Sequence, residues 1–209
     1  MAFDVLRKGG KVNTDYDAIY RDKPDKWTSG PRDEFAYWSI EGYLGHEPES
    51  LLDVGCGNGH TIGLLKMLWP DTRFVGVDVS EVACRLARAG APGAVFVHGT
   101  VEDVVSHGPF EVVTLMGVAE HFEDVVDGLV RAAAMLNPGG IIYLEAPNNL
   151  LMSGRSDEGW YASSVQEEWH LYRGTWEEKF KQAGLKIGKS LIGRGVEWEF
   201  VWILERGLE

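Results

Sequence analysis

Cysteine is scarce in this chain: Cys56 and Cys84 are the only two in 209 residues, too few to staple a disulfide-built extracellular scaffold. No apolar stretch approaches the roughly 20 residues that a bilayer-crossing helix needs. Met1-Ala2-Phe3-Asp4 opens no apolar signal segment. A cytosolic protein with no membrane partner is therefore expected. Basic residues are also few. Lys and Arg total 20 against 32 Asp and Glu, a net charge of −12, so polyanions are repelled on average and nucleic acid is not an expected partner. There is no internal repeat, low-complexity tract or Pro/Ser-rich linker at which the chain would divide, and 44% hydrophobic residues suffice for one buried core. His46, His60, His98 and His107 show no ligand spacing with one another, so no metal is expected.

What the chain does have is a concentration of glycine at one turn. Leu51-Leu52-Asp53-Val54 runs into Gly55, Gly57 and Gly59, and a second apolar run, Phe74-Val75-Gly76-Val77, ends on Asp78. A strand that turns sharply into a helix over glycines lets a ligand lie against bare backbone. A carboxylate at the tip of the neighbouring strand, roughly 20 residues on, binds a ribose diol. Dinucleotide sites read G-x-G-x-x-G and leave amides free for a pyrophosphate; this chain reads G-x-G-x-G. Asp53, two residues before the first glycine, repels a phosphate and attracts an ammonium group. S-adenosyl-L-methionine, with an adenosine, an ammonium, a sulfonium and no phosphate, fits this pattern.

On these residues the chain resembles the class I S-adenosylmethionine-dependent methyltransferases, whose first motif is an acidic residue, an apolar residue and G-x-G-x-G. Glu120-His121-Phe122, Leu136-Asn137-Pro138-Gly139-Gly140 and Ala146-Pro147-Asn148 are similar to its ubiquinone-type O-methyltransferase-like branch. The likeness covers about residues 50–204 and is strongest over 51–148.

Short apolar runs alternate with helical patterns from residue 50 onward, the signature of βαβ units. Strands are expected near 50–54, 73–77, 94–97, 110–115 and 141–145, with helices near 59–68, 81–89 and 122–136. Ser80 is a natural cap for the second of these helices. Pro70, Gly90 and Asn137-Pro138-Gly139-Gly140 are stop signals. A further helix ends at Gly184, before strand-like runs Leu185–Leu191 and Glu197–Leu204, the latter alternating Trp198, Phe200, Trp202 and Leu204 against Val201 and Ile203. The reading is an α/β, doubly wound, mostly parallel seven-stranded sheet with helices on both faces. The resemblance implies the order 3-2-1-4-5-7-6 with the seventh strand antiparallel. Residues 50–209 are expected to form the single Rossmann-like unit and residues 1–49 an N-terminal helical cap or arm. In that arm Gly30-Pro31-Arg32-Asp33-Glu34 starts a helix. Tyr16, Tyr20 and Trp27 either cap the site or merely anchor the arm.

Ligands of such sheets bind beyond the carboxyl ends of the strands. Gly55, Gly57 and Gly59, with Cys56 as a small residue between two of them, admit the methionine portion, and Asp53 faces its ammonium group. Asp78 takes the ribose and Val79 the adenine face. Thr100, Val101 and Glu102 match the family's adenine-edge segment, although Thr100 stands where an aspartate is common. Gly117 and Val118 pass near the methionine portion. His121 and His170 are candidates for a general base, with packing or positioning as the alternative. Tyr20, Trp27, Glu120, Asn148, Trp160 and Trp169 are candidates for binding the acceptor. The long connection after Ala146 suits a lid, in which Ser164-x-x-Glu167 would cap a short helix. Glu102-Asp103 and Glu123-Asp124 read as helix-start charges.

Met116-Gly117-Val118-Ala119 lacks an N/D-P-P-Y motif, no Pro-Cys nucleophile occurs, and no spaced aspartate pair resembles a catechol-type metal site. The expectation is methyl transfer to an O, N or C atom of a small-molecule acceptor, with the oligomeric state undetermined. A non-catalytic cofactor-binding subunit or sensor, an aminopropyl transferase and, disfavoured by the glycine spacing, a nicotinamide oxidoreductase stay open as alternatives.

Overall fold

The computed structural model describes residues 14–28, 30–148, 159–162, 167–191 and 199–207. Two helices come first, α1 (Tyr16–Asp22) and α2 (Gly30–Leu44). Then follow β1 (Ser50–Val54), α3 (His60–Leu68), β2 (Arg73–Asp78), α4 (Glu81–Gly90), β3 (Val95–His98) and a 3-10 turn over Val101–His107. β4 (Phe110–Met116) leads through a second 3-10 turn, Ala119–His121, to α5 (Val125–Ala134) and β5 (Leu136–Pro147). A small hairpin, β6 (Gly159–Ala162) and β7 (Glu167–His170), precedes α6 (Arg173–Gln182), β8 (Leu185–Leu191) and β9 (Glu199–Arg206).

Seven strands form one sheet in the order β3-β2-β1-β4-β5-β9-β8. Numbered within that sheet alone, the order is 3-2-1-4-5-7-6. β1 to β5 pair in parallel, and β9 lies antiparallel between β5 and β8. Alternate residues of each strand face opposite sides, and both sides are covered. Leu52, Val54, Val113, Leu115, Ile142, Leu144, Trp202 and Leu204 pack with Val125 and Leu129 of α5 and with Trp176 and Phe180 of α6. On the reverse, Leu51, Phe74, Val112, Ile141, Tyr143, Val201 and Ile203 pack with Ala36 and Ile40 of α2 and with Ile62 and Leu65 of α3. Burial on both faces explains why these strands are nearly continuous apolar runs. The Tyr43 hydroxyl of α2 donates to Glu205 of β9, which also pairs with Lys186 of β8 at 2.6 Å.

Ser80 caps α4, its hydroxyl accepting from the Ala83 amide at 3.0 Å. Asp124 caps α5 through the amides of Val126 and Asp127 at 2.9 and 3.1 Å. That cap corrects the expected helix over 122–136, which begins only at Val125 and ends at Ala134. The expected stop at 137–140 is also corrected. Those residues lie inside β5, where the pairing with β4 slips between Phe110 and Val112, and Gly139 takes a φ of +83°. Gly140 fits because a Cβ there would stand 2.8 Å from the Glu111 carbonyl oxygen. The capped helix expected from Ser164 is replaced, from Glu167 on, by strand β7. Ser164, Glu197 and Trp198 lie outside the described residues.

Candidate active site

The first candidate surface is made where β1 meets α3. The Gly55 and Cys56 amides both donate to the Val77 carbonyl, at 2.8 and 3.1 Å, which folds the loop back on the tip of β2. Each glycine then meets a different neighbour. A Cβ at Gly55 would collide with the Val118 side chain, one at Gly57 would lie 2.5 Å from the Tyr20 hydroxyl, and one at Gly59 would lie 2.8 Å from the Ala87 Cβ and 3.0 Å from its Cα. Gly59 thus serves helix packing, whereas Gly57 serves the surface that faces the N-terminal arm. Cys56 is buried with its thiol over Gly76, where a Cβ would come within 2.8 Å of the sulfur. The hydrogen bond with Cys84, followed by burial, pushes its ionisation well above the ordinary thiol range, so it is a packing residue and not a nucleophile.

Asp78 ends β2 with only 7% of its surface exposed. Its Oδ2 accepts from the Gly57 amide at 2.9 Å and its Oδ1 from the Ser80 amide at 2.8 Å. Each oxygen keeps a further acceptor position, so the carboxylate is fixed while its capacity for hydroxyl donors is retained. Burial raises its pKa to about 6 against the opposing effect of these two hydrogen bonds. Asp53, 4% exposed, accepts from the Thr114 hydroxyl at 2.7 Å. Burial lifts it to about 7, with the charges of Asp33 and Asp78 adding to the rise.

Asp33 is the member of this group that the sequence did not single out as a site residue. It sits buried in the first turn of α2, accepts from the Thr61 hydroxyl at 2.6 Å and stands 3.3 Å from the His60 ring. The only signal for it was its place just after Pro31 at the helix start.

The two raised acids carry a consequence for stability. Their folded pKa values of about 7 and about 6 lie above the ordinary 3.8. The stability associated with holding these protons is therefore complete below about pH 4 and is lost as pH rises through 6 and 7. Ligand-free protein is expected to melt at lower temperature at about pH 8 than at about pH 5.5. A cationic ligand favours the ionised acids, so its affinity is expected to move the opposite way, by roughly tenfold or more. Thermal melts and calorimetric titrations at the two pH values check both signs.

The adenine-edge candidates follow β3. Val79 is half-buried, and its carbonyl lies 3.1 Å from the His98 ring. Thr100 caps the 3-10 turn: its amide donates to Asp103 at 2.8 Å and its hydroxyl to Glu102 at 2.8 Å. Glu102 also pairs with Arg131 of α5, while the Val101 side chain is buried in the core. These residues therefore have structural partners of their own, which agrees with the reading of Glu102-Asp103 as helix-start charges. Gly117, at φ +67°, donates its amide to the Glu145 carbonyl at 2.9 Å, and Val118 closes against Gly55.

A second wall is formed by the turn after β4 and by β7. Glu120 is 3% exposed, with one oxygen 3.9 Å from the His121 ring. The His170 ring is buried, with Nε2 3.2 Å from Glu168. The Trp169 indole N–H donates to the Phe122 carbonyl at 3.0 Å, locking β7 onto the turn that carries His121. The two histidines, far apart in sequence, are thereby brought to one wall. The Trp160 backbone pairs with Trp169 across the hairpin, and Asn148 follows the end of β5, half-buried.

The N-terminal arm lies across both walls. Burial, followed by the charges of Asp78, Glu120, Tyr20 and Glu168, pushes the Tyr16 phenol far above its ordinary range. Burial, Asp78, Cys56 and Asp53 do the same for Tyr20. Tyr20, a candidate for binding the acceptor, has its hydroxyl against Gly57 of the glycine loop. Trp27, 37% exposed, packs on both tyrosines with ring centroids 5.7 and 5.2 Å away. Among the described residues, no group of three or more His, Cys, Asp or Glu is arranged to hold a metal ion, and no helix is long and apolar enough to cross a membrane.

Comparison with known proteins finds relatives of the chain by sequence and by fold. The family described as "Methyltransferase domain" matches residues 32–189. Trans-aconitate 2-methyltransferase of Rhodopseudomonas palustris (strain BisA53) is 30% identical over 133 residues, 55% of this chain and 52% of that protein. The chain thus spans about half the length of the curated relatives it matches. The 1,6-didemethyltoxoflavin-N1-methyltransferase of Burkholderia thailandensis, solved with 1,6-didemethyltoxoflavin and S-adenosylhomocysteine, superposes with a TM-score of 0.73. That superposition covers 92% of this chain and 85% of the other at 18% identity. CalS10 of Micromonospora echinaspora, an amino pentose methyltransferase solved with S-adenosylmethionine bound, gives 0.68 over 96% of this chain and all (100%) of its own at 17% identity. These structures share the seven-stranded Rossmann-like fold, and the family match extends from α2 into β8. The chain belongs to the methyltransferase-domain family, within the class I S-adenosylmethionine-dependent methyltransferases.

Proposed function

We propose that this chain uses S-adenosylmethionine to methylate a small-molecule acceptor. The observation that carries the reading is the pairing of Asp78, held by the Gly57 and Ser80 amides, with the buried acid Asp53 one strand away. Together they make a crevice that receives sugar hydroxyls and a cation and repels phosphate. The glycine loop fits the group, since a Cβ at Gly57 would reach the Tyr20 hydroxyl and one at Gly55 the Val118 side chain. When bound, the cofactor supplies a methyl group on a sulfonium, open to in-line displacement by the acceptor.

In this reading Asp78 orients the ribose and Asp53 the ammonium, directly or through water. Val79 covers the adenine face, and the segment of Thr100, Val101 and Glu102 borders its edge. Gly117 and Val118 hold the methionine portion. His121 or His170 receives a proton from an acceptor hydroxyl, and Tyr20, Trp27, Glu120, Asn148, Trp160 and Trp169 border the acceptor. Residues 1–49 act as the cap and 50–209 as the catalytic unit. The ubiquinone-type O-methyltransferase-like branch rests on Glu120-His121 and Ala146-Pro147-Asn148, and oxygen is the acceptor atom it favours. A cytosolic setting suits the two cysteines, both free and buried. The net charge of −12 speaks against a nucleic-acid acceptor.

Titration with S-adenosylmethionine and with a nicotinamide dinucleotide, then incubation with a metabolite mixture and mass detection of methylated product, tests the proposal. Binding of the first ligand only, with product, is expected. Binding without product from any mixture would favour the sensor. His121→Ala or His170→Ala is expected to lower kcat roughly 100-fold at saturating acceptor if that residue is the base, with cofactor Kd unchanged. A normal kcat reduces that histidine to packing.

A further inference from the structure

Two sets of hydrogen bonds that flank the crevice tie the arm preceding α2 to the rest of the protein. Asp17 of α1 accepts from the Ser80 hydroxyl at 2.5 Å and from the Val82 amide at 3.1 Å. A carboxylate there faces the positive end of α4 and receives hydrogen bonds strengthened by its charge. Burial opposes its ionisation, yet these two bonds, with Arg21 and His98 nearby, hold it below the ordinary carboxylate range. At the other end, the Asn58 side-chain amide donates to the Pro24 carbonyl at 2.8 Å and to the Thr28 hydroxyl at 3.1 Å. α1 has only seven residues, too short to be stable alone, so its position depends on this docking.

Between the two tethers the arm roofs the backbone that the cofactor needs. The Tyr20 hydroxyl lies against Gly57, and Tyr20 packs with Val82 and Ala83 of α4. Ser80 joins arm and site directly. Its hydroxyl donates to Asp17 while its amide donates to Asp78 Oδ1, and it is 1% exposed. One residue thus touches both the arm's latch and the sugar-binding carboxylate. A ligand held by Asp78 and the glycine loop therefore lies beside α1 and its latch.

We infer that Asp17 latches the N-terminal arm over the crevice and that release of this latch gates both the admission and the escape of the S-adenosyl ligand. This rests on the cofactor reading proposed above and adds to it a positioning residue that touches neither cofactor nor acceptor. A gate and a mere extra contact differ kinetically. Loosening a contact speeds departure alone, whereas loosening a gate speeds arrival as well.

Stopped-flow binding of S-adenosylhomocysteine to the full chain, with wild type beside Asp17→Ala and Asp17→Asn, provides the test. Asp17→Ala is expected to raise both association and dissociation rate constants about tenfold, the size of a lost charge-assisted bond, and to speed amide exchange across residues 16–22 in ligand-free protein. Asp17→Asn is expected to fall between, since its oxygen still accepts from Val82 but carries no charge. Unchanged association with faster dissociation, or no change in either, overturns the gate while leaving the cofactor reading intact. Failure of wild type to bind S-adenosylhomocysteine overturns the cofactor reading, and the gate with it.

Discussion

Asp78→Ala is expected to weaken S-adenosylmethionine binding by about 1.5–3 kcal/mol, roughly 10- to 150-fold in Kd. The loss has two sources. The ribose loses its charged acceptor, and the Gly57 and Ser80 amides lose the oxygens that now hold them. The glycine loop is then no longer tied to the tip of β2 through this side chain. Asp78→Asn separates the two sources. An amide side chain still accepts at its oxygen, but its NH2 faces one of two backbone donors, so one amide is left without a partner. Burial already disfavours the ionised acid, so removing the charge relieves a cost that ligand-free protein bears above about pH 7. Asp78→Asn is therefore expected to bind the cofactor more weakly at about pH 8 without melting at a lower temperature than wild type. Calorimetry and a thermal melt on one preparation check both halves. Unchanged affinity in the alanine variant removes Asp78 from the site.

Gly59→Ala is expected to damage the fold rather than the chemistry. Gly59 holds φ +76° at the N-terminus of α3, a region that costs an L-residue with a Cβ about 1–2 kcal/mol. The added methyl would also stand 2.8 Å from the Ala87 Cβ and 3.1 Å from Phe96 Cζ. The nearest backbone atom, Ala87 Cα at 3.0 Å, belongs to the body of α4 and gives way only if the helix shifts, an overpacking cost of about 1–3 kcal/mol. The sum of about 2–5 kcal/mol corresponds to a fall in Tm of about 4–20 °C for a chain of this size. Gly57→Ala makes the contrast. Its Cβ would press on the end of the Tyr20 side chain, which moves with the arm, so a smaller loss of Tm and a larger change in cofactor kinetics are expected. A Tm for Gly59→Ala within a degree or so of wild type contradicts the packing described for α3 and α4.

Much of this was legible from local chemistry. Ser80 caps α4 as its residue type suggests, because a hydroxyl one residue before the helix is the cheapest partner for an orphan amide. Asp78 and the glycine triplet meet where the chain pattern places them, since parallel pairing of β1 with β2 brings Val54 beside Val77. Other features depended on contacts that no short window contains. Asn137 to Gly140 carry every mark of a helix stop, yet Gly140 lies tight against the Phe110 and Glu111 carbonyls of β4, so partnership with a distant strand decided the local conformation. β7 contains Glu167, Glu168, Trp169 and His170, which lack strand periodicity; the Trp169 bond to the Phe122 carbonyl holds it in place. Tyr20, among charges and Pro24, reads only as part of a cap over cofactor or substrate or as an anchor of the arm. Its true surroundings, Gly57 and the N-terminal turn of α4, come from elsewhere in the chain. Asp33 was hidden for the same reason: only the docking of α2 near α3 brings its charge to bear on Asp53.

The covering of the sheet's second face has a consequence for biosynthesis. α2 rests on a surface that includes Val201 and Ile203, and its Tyr43 is tied to Glu205. α2 therefore waits for a strand that lies more than 150 residues further along the chain (Leu44 to Glu199). Until β9 has been made, Ala36 and Ile40 of α2 lack part of the surface on which they pack. Only when β9 slots between β5 and β8 is that bed complete, so α2 docks through contacts of high sequence separation, which form late in folding.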